Sequence, residues 1–188
     1  MENGKSQFDP FASRRARDIR NGLSKALIQS LENHDPEHFR QAGKELGASG
    51  LAPADRSYVR DRLRRYEEAF SEVQENGFSD SFRQALILWD KGLFFEAHER
   101  LESAWQEASG ENRMAIKGLI KAAGVYVHME QDHEEAAKTL ATKALALLQE
   151  HRLALAPTLD LRELLERLKR RDPVPPLLLN HGQRDGGE

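Results

Sequence analysis

The segment from Phe94 to Trp105 places ionisable side chains where a helix should be apolar. At about 100° per residue, Phe94, Leu101 and Trp105 fall on one stripe of a helix, and His98 and Glu102 fall on the same stripe. These two are i and i+4, so an imidazole nitrogen and a carboxylate oxygen can reach a common point. Glu96, Arg100, Ser103 and Glu107 then read as the opposite, solvated face. Three chemistries fit such a pair. It can be a hydrogen-bonded core pair that fixes helix register. It can be half of a divalent-metal site, which needs further ligands. It can also be a general base with its orienting carboxylate. Burying ionisable groups is costly unless they are satisfied, so a neighbouring element is expected to complete the pair.

A second helical segment downstream offers the candidates. Lys117, Lys121, His128 and Asp132 lie within about 60° of one another on a helical wheel, beside Ile116, Leu119, Ile120, Ala123 and Val127. If this stripe meets the first, His98, Glu102, Lys121 and His128 form one polar cluster at a helix seam, with Trp105 packed in the core beside it. A metal set would be His98, Glu102 and His128, with Glu99 as a fourth ligand. Lys121 argues for a hydrogen-bonded core or an anion pocket, because a cation there competes with a metal. The chain has no cysteine, which excludes disulfides, thiolate zinc sites and cysteine nucleophiles. No nucleophile motif, phosphate loop or cofactor fingerprint is present, so no reaction is assigned. The other histidines (His34, His38, His133, His151 and His181) read as surface or capping residues.

The elements that must hold these residues are helices. Aromatic and β-branched residues are few beside Leu, Ala, Glu and Arg, which favours an all-α chain. The 188 residues are 39% hydrophobic and 31% charged, with a net charge of −3, so no global field recruits nucleic acid or anionic membrane. No apolar run approaches the ~20 residues of a membrane span, and Met1 to Pro10 lacks a signal-peptide core. A cytoplasmic location is the expectation. Helices are expected from Pro10, with Asp9 as cap, to the stop at Asn33–Pro36; over Glu37–Leu46; over Pro53–Asn76, ended by Gly77; over Ser81–Asp90; over Leu93–Ala108; over Asn112–Met129; over Glu134–His151; and, after Pro157-Thr158, over Leu159–Arg171. Arg56, Arg60 and Arg64 share a face of the third helix and read as a solvated face with i,i+4 partners, not as an RNA surface. Three regions follow: a helical extension over 1–77, a core over 78–172, and an extended tail over 173–188. In the tail, Leu177–Leu179 are placed to dock on the body and His181–Glu188 form a polar end. A shift of 39 residues lays Glu96-Ala97 on Glu135-Ala136, as in tetratricopeptide-style hairpins. A bundle of antiparallel helical hairpins gives the same signal and is the form preferred here.

His98 to Trp105 also spells HxxxExxW, preceded by Gly92-Leu93-Phe94-Phe95-Glu96-Ala97 and followed by Gly118-Leu119-Ile120 and then His128. In this combination the chain resembles domain-of-unknown-function family 309 over roughly residues 80–150. The resemblance implies an all-α domain without an established activity. It marks His98, Glu102 and Trp105 as the matched motif positions and suggests metal binding at them. Lys121 stands where glutamine is common in the family. The expectation is therefore a helical binding or interaction domain with a buried His–Glu cluster, taking a small ligand or protein partner. The alternative is a metal-binding or metal-dependent hydrolase-like domain centred on His98, Glu102 and His128, with a divalent ion as cofactor.

Overall fold

The computed structural model describes residues 8–156 and 158–179. The expectations for the first seven residues, for Pro157 and for His181–Glu188 lie outside the described residues. Among the described residues the chain forms nine α helices and no strand. It divides into two compact units, Met1–Gly77 and Phe78–Glu188. No helix among the described residues is long and apolar enough to cross a membrane.

The first unit holds α1 (Arg14–Asn33), α2 (Glu37–Ala48) and α3 (Pro53–Asn76). α1 begins four residues later than Pro10 suggests. The Asp9 carboxylate accepts from the Phe11 and Ala12 amides at 2.7 and 3.2 Å and so closes a separate turn. The Ser13 hydroxyl then caps α1 by accepting from the Ala16 amide. Leu23, Leu27 and Leu31 of α1 meet Phe39 of α2 and Tyr66 of α3 in the core, with the Phe39 and Tyr66 rings edge to face at 5.8 Å. Gly43 sets the distance between α2 and α3, since a Cβ there would lie 2.5 Å from Leu63 Cδ1. The arginines are matched by acids: Arg64 by Asp61 and Glu68, Arg65 by Asp61, Arg40 by Glu67 and Arg15 by Asp55. Arg56, Arg60 and Arg64 are all exposed, so the face they share is solvated; Arg64 has acid partners on it, and Arg56 donates to the Leu51 carbonyl at 3.1 Å.

The second unit is built from two helical hairpins, α4 (Ser81–Asp90) with α5 (Phe94–Glu107) and α6 (Gly110–Met129) with α7 (Glu134–Glu150). The short α8 (Arg152–Leu155) and α9 (Arg162–Arg170) follow, and α9 packs on α7. α9 starts at Arg162, with Leu161 at its N-cap position, and the Asp160 carboxylate just before it accepts from the Arg162 amide at 3.0 Å. The two hairpin turns have one geometry. Gly92 and Asp132 both adopt left-handed backbone, at φ 67° and 56°. The next amides close onto α-helical carbonyls, Leu93 to Leu88 at 2.9 Å and His133 to His128 at 3.0 Å. The repeat is therefore 40 residues, not the 39 read from the Glu-Ala dipeptides. In the 40-residue register Ala97, Leu101 and Ala104 overlay Ala137, Ala141 and Ala144, all buried. The turn backbone fixes the register, and the dipeptide match is a local coincidence one residue out of phase.

Beyond α9 the chain turns at Arg171, in left-handed backbone at φ 51°, and runs extended. This strap, residues 173–179, docks on the second unit. Arg167 holds its start, donating to Asp172 at 2.9 Å and to the Val174 carbonyl at 3.2 Å. Trp89 donates its indole N–H to the Pro176 carbonyl at 2.9 Å. The Asp90 carboxylate accepts from the Leu178 and Leu179 amides at 2.6 and 2.9 Å.

Candidate functional site

α5 is packed between α4 and α6, so its buried arc is wide. Phe94, Glu96, Ala97, Arg100, Leu101 and Ala104 are the buried residues, and the arc is centred near the Ala97–Ala104 line. This corrects the wheel drawn from apolar residues alone. Glu96, fully buried, and Arg100, 5% exposed, lie inside rather than on the wet face. His98 and Glu102 lie on its rim, with side-chain exposures of 29% and 51%, and Trp105 is half-buried. The buried polar cluster of this unit is a different one. Arg100 Nε donates to Gln84 Oε1 at 2.8 Å, and Gln84 Nε2 donates to the Phe78 carbonyl at 2.8 Å. Gln84, Glu96 and Arg100 were missed because their polarity argued for solvent. The signal that could have found them is the small-residue line Ala97–Ala104, which marks a close helix approach beside which Arg100 must lie.

The His98–Glu102 pair forms, but at the surface seam of α5 and α6. His98 Nδ1 lies 3.2 Å from the Ile120 carbonyl oxygen, and Nε2 lies 3.3 Å from Glu102 Oε1. A carbonyl only accepts, so Nδ1 carries a proton and donates to Ile120. In a neutral ring Nε2 then presents a lone pair toward a carboxylate oxygen, which is also an acceptor. Two acceptors at this distance need a proton on Nε2 or a cation between them. Further along the seam the Arg113 guanidinium lies 3.8 Å from the Trp105 ring centroid. His98 with Ile120 and Trp105 with Arg113 are the same antiparallel register, which puts position 102 opposite position 116.

Of the residues singled out from sequence, three ligand donors converge. His98, Glu99 and Glu102 each offer an atom within 4.8 Å of the others, and this is the one such group of three among the described residues. His128 does not join them. It lies eight residues beyond Ile120 on α6, about 12 Å along the axis, and its ring sits 5.8 Å from that of His133. Lys121 is half-buried beside Ile120, and among the described residues it makes no ion pair with His98 or Glu102. Asp132, the other candidate of that stripe, belongs to the left-handed turn between α6 and α7.

Fold and site together define an all-α protein of paired helical hairpins with a His–carboxylate group on an exposed helix seam. Residues 82–140 match the family model described as Domain of unknown function (DUF309), a family of unknown function. The match spans α4 to the first half of α7 and contains the whole seam. No curated protein and no solved structure matches the chain.

Proposed function

We propose that the protein is a cytoplasmic binding module whose α5–α6 seam holds a divalent metal ion through His98 Nε2, Glu99 and Glu102. The observation that carries this reading is the hydrogen bond from His98 Nδ1 to the Ile120 carbonyl. Metal-bound histidines commonly donate their second ring nitrogen to a carbonyl or carboxylate, which fixes the tautomer and aims the other lone pair. Here Nε2 lies 3.3 Å from a Glu102 oxygen, four residues on, and Glu99, one residue on, offers a third donor atom within 4.8 Å of the other two. One imidazole with two carboxylates suits zinc, manganese or ferrous iron and leaves positions for water or a ligand group. The same three residues are partly exposed, so the ion would exchange with solvent.

The test is calorimetric titration of zinc and manganese into the full chain, with the thermal midpoint measured alongside. One ion per chain is expected, with binding abolished in His98→Ala and weakened at least tenfold in Glu102→Gln. An absence of both heat and midpoint shift for every divalent ion tried would sink the reading. A second reading rests on the 3.3 Å contact itself: a protonated His98 donating to Glu102 as a surface ion pair. In that case added divalent metal changes neither the heat nor the thermal midpoint of wild type, and the pair's contribution weakens with salt.

A further inference from the structure

The first helices of the two hairpins contribute an aromatic cradle. Trp89 of α4 and Tyr126 of α6 are 1% and 2% exposed, and their rings meet edge to face at 5.3 Å. Phe94 closes the group, at 5.3 Å from Trp89 and 5.2 Å from Tyr126. The Tyr126 hydroxyl is buried without a hydrogen-bond partner. Against this cradle lies the strap. Trp89 donates to the strap's backbone at the Pro176 carbonyl, and the Asp90 carboxylate accepts from the consecutive amides of Leu178 and Leu179. The buried side chains of the strap are Pro176 and Leu178, while Val174 and Leu177 are 58% and 65% exposed.

This pattern reads an extended backbone with alternate side chains inserted, which is how peptide grooves obtain affinity from main-chain bonds and selectivity from a few pockets. Proline before the bound carbonyl keeps the segment extended and removes an amide that would need a partner. Stacked helical hairpins present surfaces suited to such ligands. The strap is joined to α9 through a left-handed residue, Arg171, and an Asp-Pro step, and Arg167 of α9 donates to its Val174 carbonyl.

We propose that Trp89 and Asp90 form a groove for an extended proline- and leucine-containing segment of another protein, and that residues 173–179 occupy it as an internal competitor. The tether gives the strap a local concentration on the order of millimolar. A free peptide therefore binds the wild-type chain weakly and binds well once the strap is disabled. Leu178→Asp disables it, because a carboxylate cannot enter the leucine site, and it leaves Trp89 and Asp90 intact.

The test uses a fluorescein-labelled synthetic peptide with the sequence of residues 172–179, titrated into full-length chains. Leu178→Asp is expected to bind the peptide at least tenfold more tightly than wild type, and adding Asp90→Ala should reverse the gain. If Leu178→Asp keeps its helical circular dichroism and binds no better than wild type, the strap is a fixed part of the domain and the proposal fails. Should that variant not fold, amide exchange in the wild type decides. Leu178 and Leu179 amides exchanging at least tenfold faster than those of Leu86–Leu88 support a detachable strap, and equal rates overturn it. A wild-type dimer that grows with concentration and is lost in Asp90→Ala would assign the groove to a second copy's strap and overturn the partner.

Discussion

The Arg113 guanidinium covers the Trp105 indole at 3.8 Å, and this contact lies in the same α5–α6 register as the bond from His98 to Ile120. The cation–π pair thus fixes the seam two turns away from the imidazole. Truncating Trp105 removes both a half-buried ring and the partner of Arg113. Trp105→Ala is expected to cost about 2 kcal/mol in urea unfolding, less than the ~3–5 kcal/mol typical of a fully buried ring. It should also weaken metal binding at His98, and Trp105→Phe should restore most of both.

Arg100 is a buried charge held by Gln84. Arg100→Ala strands the Gln84 carbonyl and opens a cavity, with an expected loss of about 3 kcal/mol. Arg100→Met, of similar length, should lose less. Neither change touches the seam residues, so metal titration of the folded variants should match wild type. A change in the metal constant would show that the two clusters are coupled.

Asp132 occupies the left-handed position that Gly92 holds in the first hairpin. Asp132→Gly removes the Cβ clash of that conformation and is expected to raise stability by about 0.5–1 kcal/mol. Gly92→Ala should lower it by a comparable amount or more. Denaturant midpoints of the two variants, moving in opposite directions, are the check.

Asp160 is held down to about 2, first by its hydrogen bonds from the Arg162 side chain and then by the Arg162 amide. A carboxyl depressed in the folded state contributes stability that is fully present above its unfolded value, near 4, and that is lost as pH falls through the folded value. The difference in thermal midpoint between wild type and Asp160→Asn should therefore be constant above about pH 5, shrink below about pH 4, and vanish near pH 2. A difference that persists at pH 2 would mean that Asp160 acts on the turn before α9 through geometry alone.

Much of the fold was legible because helices carry local signals. Gly77 after α3, the start of α4 at Ser81 and the Gly92 turn all lie where the sequence places them. Starts with two candidate caps were not legible, since Asp9 and Ser13 differ only in which turn the chain makes first. The seam was legible in part. The i,i+4 spacing of His98 and Glu102 gave the pair, and Glu99 comes with the helix. Depth was not legible, because a wheel ranks faces by apolarity and α5 is covered on two sides, one of them polar. His128 failed for another reason: angle on a wheel ignores height along the axis, and two helical turns separate it from the pair. The strap contacts were invisible, since Trp89 and Asp90 read as ordinary helix residues until their partners come into place.

Those partners lie 87 to 89 residues further along the chain. A nascent polypeptide is made from its N-terminus, so the α4–α5 hairpin exists before residues 176–179 have been synthesised. Closing such distant contacts is slow relative to hairpin formation. For that interval the strap's bonds to Trp89 and Asp90 are not yet made. If residues 173–179 are an internal competitor, a newly made molecule offers the proposed groove before its own strap can fill it.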